Sequence, residues 1–351
     1  MSTVSANLLT TNDMTVNHTI IIAEAGVNHN GDLDLARRMV AAAKKAGADY
    51  VKFQTAIPEL VISTFAPKAE YQKETTGSDE SQLEMCRKIH LPLSDYAGLK
   101  KYCDEVGIGF MSTPFDLVSI DCLAGLGMDY WKIPSGEITN LPYLRKIAGK
   151  GGSVILSTGM STLAEVEAAV EVLEAGGMTR DNIILLHCTT QYPTPFEAVN
   201  LRAMDALRTL GCRSVGYSDH TPGIAVPVAA VAMGATVIEK HFTLDRTLPG
   251  PDQKASLEPD ELEAMVREIR QIEPALGSAD KVVTEAEWPN IEVARKSIVA
   301  ARRIARGEVF TEENLTVKRP GSGISPMRWD EVIGGVSPAD FEPDQLIFFE
   351  I

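Results

Sequence analysis

The sequence has few features of a secreted, disulfide-bonded or membrane protein. Its 351 residues include only five cysteines, widely spaced and without a CxxC pair, so no disulfide framework is expected. No stretch reaches the ~18 uninterrupted apolar residues of a membrane-spanning helix. The first 18 residues lack the basic start and apolar run of a signal peptide. These absences favour a soluble, cytoplasmic protein.

Positive charge is also scarce. The sequence has 33 Lys and Arg against 48 Asp and Glu, a formal net charge of −15, which repels nucleic acid and anionic membranes in general. Any anionic ligand must therefore be held by local cations in a pocket. Apolar residues make up 44% of the chain, enough to fill the core of one large domain and one small domain.

What the sequence does contain is a regular alternation of short β-branched runs and longer stretches of helical period. Eight such pairs in roughly 260 residues predict a parallel (β/α)₈ TIM barrel. The alternative, an open doubly wound sheet, is disfavoured because no GxGxxG turn follows the first strand. The predicted strands are 19–26, 50–55, 109–114, 129–135, 153–159, 182–189, 214–220 and 236–243.

Two segments depart from this alternation. Residues 57–92 form a long connection after the second strand, which is typical of a lid or a binding loop. After about residue 285, short strands and many turn residues replace the barrel pattern. We therefore expect an N-terminal tail at 1–18, a barrel at 19–285 and a small domain at 286–351.

Polar side chains lie at the carboxyl end of nearly every predicted strand, where TIM-barrel active sites are found. Lys52 and Lys132 are unfavourable as isolated buried charges and imply an anionic partner such as phosphate or carboxylate. Alternatively, they pair with Glu24 and Glu137 in a structural network. Neutral hydrogen-bond donors around such an anion are supplied by Thr113, Ser135, Ser157 and Ser218.

Two of the six histidines lie near the carboxyl ends of adjacent predicted strands. Residues two apart on a strand share a face, so His220 lies beside Ser218 and His241 beside Glu239. Two imidazoles placed in this way can bind one divalent cation, with water or carboxylate oxygens completing the shell. For either histidine taken alone, the alternative is a hydrogen-bonded structural role.

Two carboxylates complete the predicted site. Glu24 is a candidate general base, or a group that only orients a lysine or a metal-bound water. Asp252, in the loop after the eighth strand, either holds sugar hydroxyls or is a plain turn residue. The residues alone therefore predict a barrel that binds a small anionic substrate with help from a metal ion, without naming a reaction.

Ten segments appear in order from about residue 19 to the C-terminus: AEAGVNHNGD, VKFQT, STPFD, WKIPSGEITNLPYL, LSTGM, HCTTQYPTPFE, GYSDHTPG, EKHFTLD, GPDQKAS and VKRPGSGISP. Together they resemble the bacterial sialic acid synthase family, the phosphoenolpyruvate-dependent N-acetylneuraminate synthases. The resemblance implies a TIM barrel followed by a small antifreeze-like (SAF) domain. It also implies a domain-swapped homodimer in which the small domain of one subunit covers the barrel mouth of the other.

The resemblance further implies a reaction, the condensation of phosphoenolpyruvate with an open-chain N-acylated amino sugar, N-acetylmannosamine in the sialic acid case. C3 of phosphoenolpyruvate adds to the sugar aldehyde, water attacks C2, and phosphate leaves by C–O cleavage. Mn²⁺ or Mg²⁺ at His220 and His241 would polarise the aldehyde oxygen. The residues matching the positions that hold phosphate and carboxylate are Lys52, Thr113, Lys132, Ser135, Ser157 and Ser218.

Five further roles come from the same resemblance. Tyr192 matches a substrate-pocket position, and Glu24 matches the glutamate that acts on the attacking water or on a sugar hydroxyl. Glu137 and Asp252 match positions that hold the sugar. Arg319 would reach the acylamino group of the sugar in the partner subunit.

Two other functions remain open from the sequence. The first is the same chemistry on 2,4-diacetamido-2,4,6-trideoxymannose, which would give N,N′-diacetyllegionaminic acid and would need a less polar pocket. The second is a noncatalytic carbohydrate-binding protein with the barrel as a scaffold. Converging buried charge argues against the second, because a scaffold does not need it.

Overall fold

The computed structural model describes residues 18–68, 72–73, 76 and 80–348. The predicted tail therefore lies outside the described residues, except for His18. The chain divides into two compact units after Gly277, a little before the boundary at 285 that the sequence predicts. Each unit has its own hydrophobic core.

The first unit contains eight parallel strands among its described residues. They hydrogen-bond in the order β3-β2-β1-β8-β7-β6-β5-β4, and β3 and β4, at the ends of this order, lie next to each other. Eight parallel strands arranged in this way form a TIM barrel, so the predicted fold class is confirmed. The strands are β1 Ile20–Gly26, β2 Tyr50–Thr55, β3 Gly109–Pro114, β4 Tyr130–Ile133, β5 Ser153–Ser157, β6 Ile183–His187, β7 Ser214–Asp219 and β8 Val237–His241.

Helices surround the barrel and bury their apolar faces against the outer faces of the strands. The long connection after β2 contributes two of them, α2 and α3, and part of it lies outside the described residues. The described helices of this unit are α1 Leu33–Ala46, α2 Pro58–Val61, α3 Gln82–Ile89, α4 Asp95–Val106, α5 Leu117–Ala124, α6 Leu141–Ala148, α7 Leu163–Ala175, α8 Ala203–Arg208, α9 Ala225–Ala232 and α10 Pro259–Leu276.

Local capping chemistry sets several helix ends. The side chain of Asp32 accepts hydrogen bonds from two backbone N–H groups at the start of α1, and Gly47 ends this helix with φ at 86°, a conformation that favours glycine. Helix α7 begins with a capping box between Thr162 and Glu165. These signals are local, which is why the sequence shows them.

The inner faces of the strands are apolar at their amino ends and polar at their carboxyl ends. Because side chains alternate along a strand, Glu24 points inward like Ile22, and Glu239 like Val237. At Gly216 in β7, a Cβ atom would collide with the carbonyl of Val237, so the close packing there requires glycine. The apolar layer inside the barrel consists of Ile22, Met111, Ile155, Ile184, Leu186 and Val237.

The second unit is small and has an antiparallel strand pair. Strands β9 (Ser297–Ala300) and β10 (Leu315–Lys318) pair with each other, and the helices are α11 (Trp288–Ala294) and α12 (Trp329–Val332). Its core is formed by Ile298, Ala300, Ile304, Phe310, Leu315, Val332, Phe341 and Ile347.

Two sequence features have simple structural counterparts. All five cysteines lie within the described residues, and each is a free thiol. Along the described parts of the chain, none of the helices has the length and apolar character needed to cross a membrane.

Candidate active site

A cavity of about 420 Å³ lies at the carboxyl ends of the barrel strands. Its volume is within the range of roughly 300–1,000 Å³ that is typical of small-molecule sites. All but two of the residues singled out from the sequence line it, namely Glu24, Lys52, Thr113, Lys132, Ser135, Ser157, Tyr192, Ser218, His220, His241 and Asp252.

Two buried lysines and two buried glutamates form the base of the cavity. Lys52 Nζ lies 2.7 Å from Glu24 Oε2 and 3.5 Å from Glu239 Oε2. Lys132 Nζ lies 3.8 Å from Glu239 Oε1. The pairing of Lys52 with Glu24 was one of the arrangements that the sequence left open, whereas Lys132 is paired with Glu239 and not with Glu137.

Two of the four hydroxyl groups expected near an anion accept hydrogen bonds from these lysines. Lys52 Nζ donates to Thr113 Oγ1 at 3.1 Å, and Lys132 Nζ donates to Ser157 Oγ at 2.6 Å. Ser218 Oγ donates to Glu239 Oε1 at 3.0 Å. Lysine, hydroxyl and carboxylate groups thus form one connected polar network in which each charge has a partner.

The two glutamates of this network differ in acidity. Burial raises the pKa of Glu24 to about 7, because it outweighs the opposing effect of Lys52. Burial alone would also raise the pKa of Glu239, but Lys132 and Lys52 together outweigh burial and lower it. At neutral pH, therefore, Glu239 is ionised and Glu24 is close to its titration midpoint.

The two lysines also differ. Burial would lower the pKa of Lys52, but the two nearby carboxylates outweigh burial and raise it. Burial dominates at Lys132 and lowers its pKa, because Glu239 opposes it less than two close carboxylates do at Lys52 and because the charge of Lys52 lowers the pKa further. Lys52 is therefore the more firmly protonated of the two cations.

His220 and His241 face each other at the ends of β7 and β8, with ring centroids 5.5 Å apart. His220 Nδ1 is 2.6 Å from the backbone oxygen of Thr189, the type of contact that orients a metal-binding imidazole. The Nδ1 atom of His241 is buried, with no hydrogen-bond partner in the described structure. Burial lowers the pKa of both rings, so both are neutral.

These two imidazoles fit a divalent cation as a pair. Within residues 18–68, 72–73, 76 and 80–348, no three His, Cys, Asp or Glu side chains are grouped to hold a metal ion. The protein would therefore provide two nitrogen ligands, and water or substrate oxygens would fill the other positions.

Tyr192 and Asp252 lie elsewhere on the cavity wall. The ring of Tyr192 packs against that of His220, with centroids 4.1 Å apart, and edge-on to that of His241 at 5.7 Å. Asp252 is buried, and burial raises its pKa to about 6. Both side chains are placed to contact a substrate bound above the lysines.

Two predicted residues do not line the cavity. Glu137 is half-buried on a turn beside it, and its carboxylate accepts a 2.6 Å hydrogen bond from Asn140 Nδ2. Arg319 belongs to the second unit, where its Nε donates to the backbone oxygen of Ala294 at 3.1 Å. The roles of both in sugar binding stay predictions.

Glu239 and Gln54 are two polar residues of the cavity to which the sequence analysis assigned no role in the site. Both line the cavity, and Gln54 Nε2 donates to Glu24 Oε1 at 3.2 Å. The sequence did contain a signal for both residues. Gln54 lies two residues after Lys52, and Glu239 lies two residues before His241, so each shares a strand face with a predicted site residue.

A second polar network lies on the other face of β7 and β8. Asp219 and Lys240 are opposite each other in the strand register and form a fully buried ion pair. Asp219 also accepts hydrogen bonds from the hydroxyls of Tyr217 and Thr221. Asp219 therefore faces away from the cavity and supports the strand ends that carry the two histidines.

Comparison with known proteins places this architecture in a family. The NeuB family model matches residues 39–281, and the SAF domain model matches residues 295–350. The chain is 54% identical to the N,N′-diacetyllegionaminic acid synthase of Campylobacter jejuni, over 94% of this chain and 98% of that protein. It is 40% identical to the N-acetylneuraminate-9-phosphate synthase of Homo sapiens, over 94% and 92%.

A solved structure is also similar. It is the N-acetylneuraminic acid (sialic acid) synthetase of Leptospira borgpetersenii in complex with citrate, with a TM-score of 0.68 and 36% identity, covering 79% of this chain and 91% of that chain. The matches confirm the SAF domain expected at the C-terminal end. They also confirm the predicted enzyme class, a nonulosonic acid synthase. The chain belongs to the NeuB family.

Proposed function

We propose that this protein is an N,N′-diacetyllegionaminate synthase, which joins phosphoenolpyruvate to 2,4-diacetamido-2,4,6-trideoxymannose. The observation that best supports a synthase is the convergence of two buried lysines and two neutral imidazoles on one cavity. The higher identity to the legionaminic acid synthase than to the N-acetylneuraminate-9-phosphate synthase favours this sugar. The comparison therefore favours the diacetamido sugar over N-acetylmannosamine, the sugar that the sequence analysis mainly predicts.

Phosphoenolpyruvate would bind at the base of the cavity. Lys52 and Lys132 would hold its phosphate and carboxylate groups, and both ammonium groups are already shielded from water. Neutral donors would come from the hydroxyls of Thr113, Ser135, Ser157 and Ser218.

In the proposed reaction, C3 of phosphoenolpyruvate forms a bond to the aldehyde carbon of the open-chain sugar. Water then adds to C2, and the bond from C2 to the phosphate oxygen breaks, which leaves a ketone at C2 and releases phosphate. The two protons of the water end on the former aldehyde oxygen, which becomes a hydroxyl group, and on the phosphate. Lys52 and Lys132 stabilise the negative charge on the departing phosphate. Glu24 accepts the proton of the attacking water, since a pKa of about 7 leaves much of it ionised at neutral pH.

His220 and His241 are the proposed ligands of Mn²⁺ or Mg²⁺. The hydrogen bond of His220 Nδ1 to Thr189 makes Nε2 its metal-binding nitrogen, and the unpartnered Nδ1 of His241 is available as a second donor. A bound cation would supply Lewis-acid polarisation of the aldehyde oxygen.

The family resemblance supports a domain-swapped homodimer. In this arrangement Arg319 of one subunit would bind the acylamino group of the sugar held by its partner. Glu137 and Asp252 would hold sugar hydroxyl or amide groups within the same barrel.

Steady-state assays with both sugars test the proposal. The purified enzyme, with phosphoenolpyruvate and Mn²⁺, should show a higher kcat/KM for 2,4-diacetamido-2,4,6-trideoxymannose than for N-acetylmannosamine, measured by phosphate release and product mass. A Lys132→Met variant should be inactive with both, which controls for contaminating activity. A higher kcat/KM for N-acetylmannosamine would favour the second sugar, and inactivity with both would overturn the synthase proposal.

A further inference from the structure

One wall of the active-site cavity is apolar and comes from a helix, not from the barrel strands. Helix α3, in the long connection after β2, contributes Met85, Cys86 and Ile89 to this wall. Met85 and Ile89 are four residues apart and so lie on the same face of the helix. We call these three residues the α3 wall. It faces a cavity whose base is made of lysine, glutamate and histidine side chains.

The α3 wall is held in place by local contacts. A capping box between Ser81 and Glu84 begins the helix, and His90 Nδ1 lies 2.9 Å from the backbone oxygen of Cys86 at its end. The side chains of Met85 and Ile89 are only 2% and 8% exposed. The wall is therefore a preformed surface, and a ligand need not order it on binding.

The α3 wall is also close to the predicted sugar-binding acid. Asp252 lines the same cavity, and its negative charge adds to the effect of burial in raising the pKa of the Cys86 thiol to about 11. A sugar held by Asp252 would therefore have part of its carbon chain beside α3. The aldehyde carbon C1 must lie at the base, near phosphoenolpyruvate, so the opposite end of the chain, C6, is the part directed toward the mouth.

We propose that the α3 wall is the subsite for the C6 methyl group of a 6-deoxy sugar, and that Met85 and Ile89 set the preference for a methyl group over a hydroxymethyl group. This inference rests on the proposed function, since only one of the two candidate sugars carries a C6 methyl. A methyl group gains from contact with thioether and aliphatic carbons. A hydroxyl at the same place would lose its water without gaining a hydrogen-bond partner from Met85 or Ile89.

Near-isosteric polar substitutions test the α3 wall. Met85→Gln keeps the approximate side-chain size and adds an amide group. Ile89→Thr adds a hydroxyl group and is one carbon smaller, a loss that Ile89→Val reproduces without the hydroxyl. Each should lower kcat/KM for 2,4-diacetamido-2,4,6-trideoxymannose by about 10-fold or more, within the range for methyl-sized changes in an apolar pocket. The kcat/KM for N-acetylmannosamine should stay the same or rise, and the KM for phosphoenolpyruvate should not change.

Leu83→Thr is the matched control. Leu83 is on the same helix and buried, but it is not one of the residues that line the cavity. Its substitution weakens helix packing and should leave the ratio of the two kcat/KM values unchanged. Ile89→Val, which removes one methylene group and keeps the fold, should lower the preference for the diacetamido sugar over N-acetylmannosamine less than Ile89→Thr does.

The outcomes separate the two proposals. If the unmodified enzyme prefers the diacetamido sugar but Met85→Gln and Ile89→Thr leave the ratio unchanged, the subsite is refuted and the proposed function stands. If the unmodified enzyme does not use that sugar, the proposed function fails, and the subsite fails with it. An equal shift in the ratio for Leu83→Thr would assign the effect to helix packing and would also refute the subsite.

Discussion

Lys240 Nζ lies 2.5 Å from Asp219 Oδ2, and both side chains are fully buried. The pair joins the carboxyl ends of β7 and β8 on the face opposite the cavity. On the other face of the same strand ends lie Ser218, Glu239 and the two facing histidines. The ion pair therefore supports the part of the barrel on which the site depends.

Loss of this ion pair should destabilise the barrel. In Lys240→Met the Asp219 carboxylate remains buried without its cation, so the free energy of unfolding should fall by about 3–5 kcal/mol. Denaturant unfolding followed by circular dichroism would measure it. The exposed pair of Lys101 with Glu105 supplies the control, since Lys101→Met should change stability by less than about 0.5 kcal/mol. A similar decrease in the free energy of unfolding in both variants would contradict a stabilising role of the buried pair.

Metal binding should depend on both facing imidazoles. His220→Ala or His241→Ala removes one of the two proposed protein ligands and should weaken Mn²⁺ binding by at least about 100-fold, with loss of turnover. Isothermal titration with Mn²⁺ would show this independently of activity. His187 is a matched control, because its ring bonds to the backbone oxygen of Val199 and it does not line the cavity. Full activity of the unmodified enzyme after chelation would exclude the metal role.

The pH profile should report the ionisation of Glu24. Its pKa is raised to about 7, so at lower pH the carboxyl is protonated and cannot accept the proton of water. kcat/KM should therefore rise with pH up to about 7 and then level off. Glu24→Gln should lower the rate by about 10²–10⁴-fold and remove this limb. An unchanged acid limb in that variant would assign it to another group.

Arg319 should contribute to sugar binding in the active site of the partner subunit. Arg319→Ala should raise the KM for the sugar by about 10-fold or more, because the proposed charge-assisted hydrogen bond to the acylamino group would be lost, with little change in the KM for phosphoenolpyruvate. When it is mixed with the inactive Lys132→Met variant, some activity should return, since one of the two shared sites would then be intact. The absence of rescue after subunit exchange would count against the swapped dimer.

Several parts of the site were accessible from the sequence because they depend on local patterns. The inward positions of Lys52, Ser218 and His241 follow from two-residue alternation and from the rule that barrel sites lie at the carboxyl ends of strands. The strand runs are mostly apolar, which is why each of the eight predicted strands overlaps an observed one, although β4, β5, β6 and β8 end two residues before the predicted ends.

The pairing of the buried lysines with their carboxylates could not be predicted from the sequence in the same way. Lys132 on β4 meets Glu239 on β8, and these strands lie on opposite sides of the barrel. No spacing in the sequence relates the two residues. For the same reason Glu137, which is close to Lys132 in sequence, was a plausible partner but bonds to Asn140 instead.

The sequence by itself therefore determined the order of strands and helices, the inner face of each strand and the residues able to carry charge into the barrel, because these depend on neighbours along the chain. Only the tertiary structure decided that Glu239 pairs with Lys132 and that Glu24 is near its titration midpoint at neutral pH. It also decided that helix α3 gives the cavity an apolar wall. The physical reason is that pKa values and cavity walls depend on burial and on contacts between distant segments, and these exist only once the barrel has closed.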